Sequence, residues 1–133
     1  MPLTTYSVET ILRAVPWTVE VTEEFERWWD QLTEDERISI DGMIRVLEAQ
    51  GPLLGHPYAF AVAGSRVAQL RQLRVPHDDQ LICVLYVPDQ PSAAVILLNG
   101  STAGTEDEVC PPDEVETATA IYTKYLAGRQ DRR

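Results

Sequence analysis

The chain has 133 residues, 44% hydrophobic and 24% charged, a composition that excludes a disordered or fibrous protein. Its 21 acidic residues outnumber its 11 basic residues, and the resulting net charge of −10 disfavours indiscriminate binding to nucleic acid. No apolar run approaches the roughly 20 residues that span a bilayer, and the N-terminus lacks a signal-peptide pattern. We therefore expect residues 1–133 to form a single domain in the cytoplasm, with no membrane partner.

The first half of the chain predicts a short helix, a strand and a hairpin of two helices. Apolar residues at helical spacing predict the short helix over residues 7–15. Residues 17–21, "WTVEV", alternate between apolar and polar and predict a half-buried strand. Thr22 is a candidate N-cap for the first hairpin helix, and Thr33 begins the second with a capping box, "TEDE". The hairpin side chains predicted to be buried are Phe25, Trp28, Trp29, Leu32, Ile40, Met43, Ile44 and Leu47.

The second half predicts three strands and a closing helix. After an irregular stretch to about residue 68, the strands cover residues 69–75, 81–87 and 93–98, and their short turns favour antiparallel pairing. The last two strands are apolar almost throughout, which is typical of central strands that are covered on most of both faces. The closing helix begins at Pro112 and is predicted to end before Gly128, followed by a polar tail at 128–133. The pattern predicts a compact α+β domain with helices packed on one face of a small sheet.

The two cysteines have no spacing typical of a metal site and no histidine close in sequence. Cys83 lies inside the apolar run "LICVLYV", so we expect a buried, unreactive thiol there. Cys110 precedes two prolines and is also read as structural. No metal or other cofactor is predicted.

Four collinear blocks of the sequence resemble one family. They are "WTVEVTEEFERWWDQLTEDE", "LEAQGPLLGHPYAF", "GSRVAQLRQLRVPH" and "VLYVPDQPSAAVILLNG", within about residues 17–126. They resemble the RelE/HigB/ParE superfamily of type II toxin–antitoxin toxins, most closely its HigB-like branch. The resemblance implies a RelE-like fold and a cognate antitoxin. Many relatives cleave mRNA on the ribosome without a metal, through attack by the ribose 2′-OH, and the resemblance implies this activity as well. The oligomeric state stays open.

The resemblance also suggests site residues. Arg71 and Arg74 match the basic pair of a family strand, and Arg66 matches the arginine of its "GSR" segment. We predict Arg74 as a catalytic phosphate clamp, His77 as a catalytic proton carrier, and Arg66 and Arg71 as RNA-binding cations. Because strand residues alternate between faces, Arg71 and Arg74 are expected on opposite faces, with Arg74 facing away from the helices. The alternatives are a solvated turn histidine at His77 and an Arg71 that reaches out at the sheet edge.

Other positions depart from the family pattern. Relatives commonly carry an arginine in place of Cys83, a basic residue in place of Gln80 and a Lys-rich loop where this chain has Glu106, Asp107 and Glu108. Three hypotheses therefore stay open: a ribosome-dependent mRNA endonuclease, a toxin-fold interaction module without catalysis, and a gyrase-poisoning toxin of the ParE type.

Overall fold

The computed structural model describes residues 16–131, with side chains as far as Arg129. The helix predicted over residues 7–15 lies outside this range. Within residues 16–131 there are three α-helices: α1 (Glu23–Asp30), α2 (Glu34–Gln50) and α3 (Pro112–Asp131). None of the helices in the described range is long and apolar enough to cross a membrane.

Five strands form one sheet. They are β1 (Thr18–Val21), β2 (Ala59–Ala61), β3 (Arg71–His77), β4 (Gln80–Asp89) and β5 (Ala94–Ser101), in the order β1-β5-β4-β3-β2. The predicted antiparallel pairing of the three long strands is confirmed, and β1 pairs with β5 in parallel. The sequence prediction missed β2, which pairs with β3 at the edge of the sheet.

The helical hairpin follows its local signals. The Thr22 side chain accepts a hydrogen bond from the Phe25 amide at 3.1 Å and donates one to the Leu98 carbonyl at 2.7 Å, which fixes the start of α1 against β5. The predicted capping box is confirmed: the Thr33 side chain accepts from the Glu36 amide at 3.1 Å, and the Glu36 carboxylate accepts from the Thr33 amide at 2.8 Å.

The predicted end of α3 was wrong. The helix continues through Gly128 to Asp131, so the polar tail does not begin at residue 128. A glycine inside a helix costs only about 1 kcal/mol relative to alanine, which neighbouring turns can offset. Gly128 is not among the glycines with positive φ in the described range, so it does not form a left-handed C-cap.

Helices cover both faces of the sheet, which corrects the one-face prediction. We call the side covered by α1 and α2 the hairpin face. Its buried strand residues are Leu73, Val75, Ile82, Val84, Tyr86, Val95 and Leu97. We call the other side the α3 face. Its buried residues from and next to the strands are Leu70, Cys83, Leu85, Val87, Ile96 and Leu98. The apolar runs of β4 and β5 are explained by this arrangement, since both faces of these strands are covered.

A β-bulge opposite Leu85 ties the start of α3 to the sheet. The register shifts there, so Leu98 and Asn99 both lie on the α3 face although they are consecutive. The Asn99 side-chain amide donates to the Glu114 carbonyl at 3.1 Å and to the Glu114 carboxylate at 2.9 Å. The bulge thereby fixes the first turn of α3 over β5.

Gly100 provides a test of how closely α1 packs on the sheet. A Cβ atom at this position would overlap the indole ring of Trp28, whereas a Cβ at Gly42 in α2 would meet nothing within 4 Å. We expect Gly100→Ala to lower the free energy of unfolding by about 1–3 kcal/mol through overpacking. Gly42→Ala is the matched control and should raise it by about 0.5–1 kcal/mol. Urea unfolding measures both, and equal shifts would contradict the packing described for Trp28.

Candidate functional site

Arg74 lies on the α3 face of β3, beyond the strands that α3 covers. α3 packs mainly on β5 and less on β4. On the β2–β3 part of this face Phe60, Gln72 and Arg74 are half-buried. We call that part, bearing Phe60, Gln72 and Arg74, the open face. The guanidinium carbon of Arg74 lies 4.5 Å from the centroid of the Phe60 ring, and its Nε donates to the Gln72 amide oxygen at 3.2 Å. Its two terminal nitrogens have no hydrogen-bond or ion-pair partner within the described part of the chain.

The sequence prediction missed Phe60, which contacts Arg74, and His56, which stacks on Phe60. Phe60 is paired with Gln72 across β2 and β3 and is half-buried. The His56 ring stacks on Phe60 with 4.5 Å between centroids and 3° between planes, and His56 itself is exposed. The three-residue β2 carries no periodicity strong enough to predict a strand, so only the structure shows the contact between Phe60 and Arg74.

Arg71 lies on the hairpin face, as strand alternation predicted. It does not reach out at the sheet edge. Its Nε donates to the Tyr86 hydroxyl at 3.1 Å, and a terminal nitrogen donates to the Leu54 carbonyl at 3.1 Å. Burial raises the pKa of Tyr86, although the hydrogen bond from Arg71 opposes this. Arg71 therefore satisfies two groups in the interior, and its contact with RNA stays a prediction.

His77 and Arg74 do not lie together. β3 has no bulge between them, so His77 projects on the hairpin face. The hydroxyl of Ser39 in α2 lies 2.8 Å from its Nδ1, and the Asp78 carboxylate lies 3.6 Å from its Nε2. Only 15% of the side chain is exposed, so a solvated turn histidine is not an accurate description. A proton-transfer role for His77 stays a prediction.

Arg66 lies in the segment between β2 and β3 and is exposed. The following residue, Val67, packs into the cluster on the α3 face. Arg66 forms no hydrogen bond or ion pair with the residues that the structure describes, so its cation is available to a ligand. Its role in RNA binding likewise stays a prediction.

Cys83 is not the free thiol that the sequence predicted. It is fully buried as expected, but it forms a disulfide with Cys110, with 5.3 Å between their Cα atoms. The sequence prediction failed because nothing in it shows that the loop after β5 folds back to β4. Cys83 is also the cross-strand partner of Arg74, so the disulfide lies next to the open face.

The acidic segment after β5 is a folded turn. Thr105 and Glu108 exchange two backbone hydrogen bonds, of 3.0 and 3.1 Å, and the carboxylates of Glu106, Asp107 and Glu108 are exposed. Val109 is buried on the α3 face, and the next residue is the disulfide partner of Cys83. The disulfide therefore links this turn, with its three negative charges, to Cys83, which is the cross-strand partner of Arg74. Between residues 16 and 131 no three His, Cys, Asp or Glu side chains form a group that could hold a metal ion.

A cleft of about 520 Å³ lies elsewhere, between β1 and α3. Two pairs of its polar groups contact each other: Lys124 lies 3.1 Å from Glu24, and the Tyr125 hydroxyl donates to the Glu20 carboxylate at 2.8 Å. Burial and this hydrogen bond raise the pKa of Tyr125 to about 12. We favour the open face as the functional site, because Arg74 there has unpaired donors while the cleft groups satisfy each other.

Two solved structures share this fold. A mutant of the Escherichia coli toxin RelE in the free state matches with a TM-score of 0.53 and 10% identity, over 69% of this chain and 88% of that one. The isolated E. coli RelE toxin matches with a TM-score of 0.51 and 13% identity, over 79% of this chain and 98% of that one. At these identities the likeness shows the fold alone, and it confirms the predicted RelE-like α+β architecture.

Two Mycobacterium tuberculosis proteins are similar in sequence. "Putative toxin HigB2" is 28% identical over 119 residues, which are 89% of this chain, and the chain spans 58% of its length. "Putative toxin HigB3" is 35% identical over 81 residues, which are 61% of this chain and 69% of that protein. No profile of a known protein family matches the chain. Because it is similar in sequence to HigB3 and shares the RelE fold, this chain belongs to the HigB-like branch of the RelE/HigB toxin superfamily.

Proposed function

We propose that this protein is the toxin of a type II toxin–antitoxin pair that acts in the cytoplasm by cleaving mRNA on the ribosome and is neutralised by a cognate antitoxin. The observation that carries the proposal is the guanidinium of Arg74, held on the open face with its terminal donors unpaired among the described residues. A planar, permanently charged fork suits a phosphate, which accepts two parallel hydrogen bonds.

The proposed reaction needs alignment and charge stabilisation rather than a cofactor. The ribose 2′-OH loses its proton and attacks the adjacent phosphorus, and the bond to the 5′-oxygen of the next nucleotide breaks. The products are a 2′,3′-cyclic phosphate and a 5′-hydroxyl. Arg74 would neutralise the negative charge that develops on the phosphate oxygens, while Phe60 and Gln72 hold its side chain in place.

A second candidate is a toxin-fold module that binds a protein partner without catalysis. The disulfide between Cys83 and Cys110 favours it, because Cys83 occupies a strand position where relatives commonly carry a cation. The carboxylates of the turn at residues 106–108 favour it too, since they oppose the approach of phosphate. Binding of a protein partner needs no cationic site, whereas RNA cleavage does.

Induced expression in a bacterial host separates the two candidates. We expect the wild-type chain to arrest growth and Arg74→Ala to relieve the arrest. Arg74→Lys should relieve it in part, because lysine keeps the charge but not the forked geometry. Arg45→Ala is the matched control: it removes one positive charge from an exposed pair with Asp41 on α2, away from the open face, and should leave the arrest unchanged.

Co-purification completes this experiment. The product of the adjacent reading frame should bind wild-type and Arg74→Ala proteins alike if Arg74 serves RNA rather than the antitoxin. Growth arrest by Arg74→Ala at the wild-type level would contradict the catalytic assignment. No arrest by wild type, together with loss of partner binding in Arg74→Ala, would support the interaction module instead.

A further inference from the structure

The disulfide between Cys83 and Cys110 lies next to the cation of the open face. Cys83 in β4 is the cross-strand partner of Arg74 in β3. Residues directly opposite each other on antiparallel strands project to the same face, with Cβ atoms about 5 Å apart. The Cys83 and Arg74 side chains therefore start side by side on the α3 face. Cys110 follows soon after the turn at residues 106–108, which we call the acidic turn, so the disulfide connects that turn to the strand position beside Arg74.

Two contacts return the acidic turn to the sheet after the chain leaves β5: the disulfide and the buried side chain of Val109. The two backbone hydrogen bonds between Thr105 and Glu108 only close the turn on itself. Within residues 16–131, none of the three exposed carboxylates of the turn accepts a hydrogen bond or forms an ion pair. Breaking the disulfide would therefore leave Val109 alone to hold the turn near the sheet.

A disulfide at this place is unusual for the compartment proposed above. Thiol reductants keep most cysteines of cytosolic proteins reduced, and the disulfides that do form there are usually transient and catalytic or redox-sensing. A bond that connects a charged turn to the functional site can act as such a sensor, because its state decides where the charges are held.

We propose that the disulfide between Cys83 and Cys110 is a redox switch that controls the access of phosphate to Arg74. The oxidised bond holds the acidic turn beside the open face, where its carboxylates repel an approaching anion, and reduction frees the turn. This deepens and rests on the proposed function, because it adds regulation to the same site in the same compartment.

The switching step is a thiol–disulfide exchange with a dithiol protein. One thiol of the reductant loses its proton and attacks the sulfur of Cys110, which is half-buried, whereas Cys83 is fully buried. The S–S bond breaks, and Cys83 leaves as a thiolate that takes up a proton. The second thiol of the reductant loses its proton and displaces Cys110, which is protonated in turn. Two cysteine thiols are formed, and the reductant is oxidised to a disulfide.

Nuclear magnetic resonance of the Arg74 Nε–H group reports anion binding without any need for RNA cleavage. The probe is inorganic pyrophosphate, titrated into isotope-labelled wild-type protein before and after treatment with dithiothreitol. Arg74→Lys identifies the resonance by its loss. At about 0.01 M ionic strength, where charges act over about 30 Å, we expect reduction to lower the dissociation constant at least about threefold. Amide hydrogen exchange in residues 102–110 should also be faster in the reduced protein.

Two triple variants test whether the charge of the acidic turn is the cause. The first neutralises the turn and keeps the disulfide: Glu106→Gln, Asp107→Asn and Glu108→Gln. Its oxidised form should bind pyrophosphate like reduced wild type, and dithiothreitol should cause no further change. The control neutralises three exposed carboxylates of the hairpin helices: Glu26→Gln, Glu34→Gln and Asp35→Asn. It makes the same change in net charge and should keep the redox difference.

The outcomes distinguish the switch from the proposed function. A dissociation constant that is equal in both redox states would overturn the switch, and so would a redox difference that persists after the turn is neutralised. Loss of the near-UV circular dichroism of the protein on reduction would overturn it as well, because the bond would then be required for the fold itself. A redox-dependent affinity for pyrophosphate, in a protein that leaves mRNA on ribosomes intact in both states, would support the switch and reject the nuclease.

Discussion

Reduction of the disulfide between Cys83 and Cys110 is expected to lower the free energy of unfolding by about 3–4 kcal/mol. The two cysteines are 27 residues apart in the chain, so the bond closes a loop containing β5 and restricts the unfolded chain. It also attaches the loop after β5 to a fully buried position in β4. Urea unfolding of the wild-type protein with and without a dithiol reductant measures the difference.

The control for this experiment is a Cys83→Ala, Cys110→Ala double variant. Its midpoint of urea unfolding should be lower than that of oxidised wild type and should not change when the reductant is added. Two free thiols by mass spectrometry in protein purified under oxidising conditions would contradict the bond. Identical unfolding midpoints for oxidised and reduced wild type would contradict its expected contribution.

Ile40→Ala is expected to destabilise the protein by about 2–5 kcal/mol, because it leaves a cavity under the hairpin. Ile40 is 0% exposed against the sheet, whereas Ile38, two residues earlier in α2, is 64% exposed. Ile38→Ala makes the same chemical change on the opposite side of the helix and should shift the free energy of unfolding by at most about 0.5 kcal/mol. Chemical denaturation of the two variants tests the orientation of α2. Equal losses of the free energy of unfolding would show that this orientation is wrong.

Features encoded by local chemistry were predictable from the sequence. Thr22 and Thr33 mark the two hairpin helices because capping needs only residues three positions apart. The strands β4 and β5 follow from their apolar runs, and the opposite faces of Arg71 and Arg74 follow from simple alternation. Apolar residues along both faces of β4 and β5 correctly indicated strands covered on both faces, although the predicted fold placed the helices on one face only.

Features that depend on distant parts of the chain were not predictable. The disulfide requires the loop after β5 to return to β4, and no spacing between Cys83 and Cys110 encodes that path. The stack of His56 on Phe60 depends on β2, whose three residues gain their strand conformation from pairing with β3. His77 was near Arg74 in sequence, but three positions along a regular strand put it on the other face.

The open face combines features that favour and oppose RNA chemistry. Arg74 has terminal guanidinium donors without a partner in the described residues, whereas the turn at residues 106–108 adds three carboxylates beyond the disulfide. The exposed carboxylates of the turn repel a phosphate across solvent, and at about 0.1 M ionic strength this repulsion is screened over about 10 Å. A phosphate bound to the Arg74 guanidinium would instead be in direct contact with it. We therefore expect the acidic turn to weaken RNA binding without abolishing it.

Cleavage of a defined mRNA on translating ribosomes is the direct test of the proposed nuclease activity and of the role of Arg74 in it. Purified wild-type protein is added, and the RNA ends are mapped by primer extension. We expect cuts within the translated region by wild type and by the Arg45→Ala control. Arg74→Ala should cut at a rate at least about a hundredfold lower, since removal of one charge-stabilising group typically costs that much. Intact mRNA with wild-type protein, or cleavage by Arg74→Ala at the wild-type rate, would contradict this proposal.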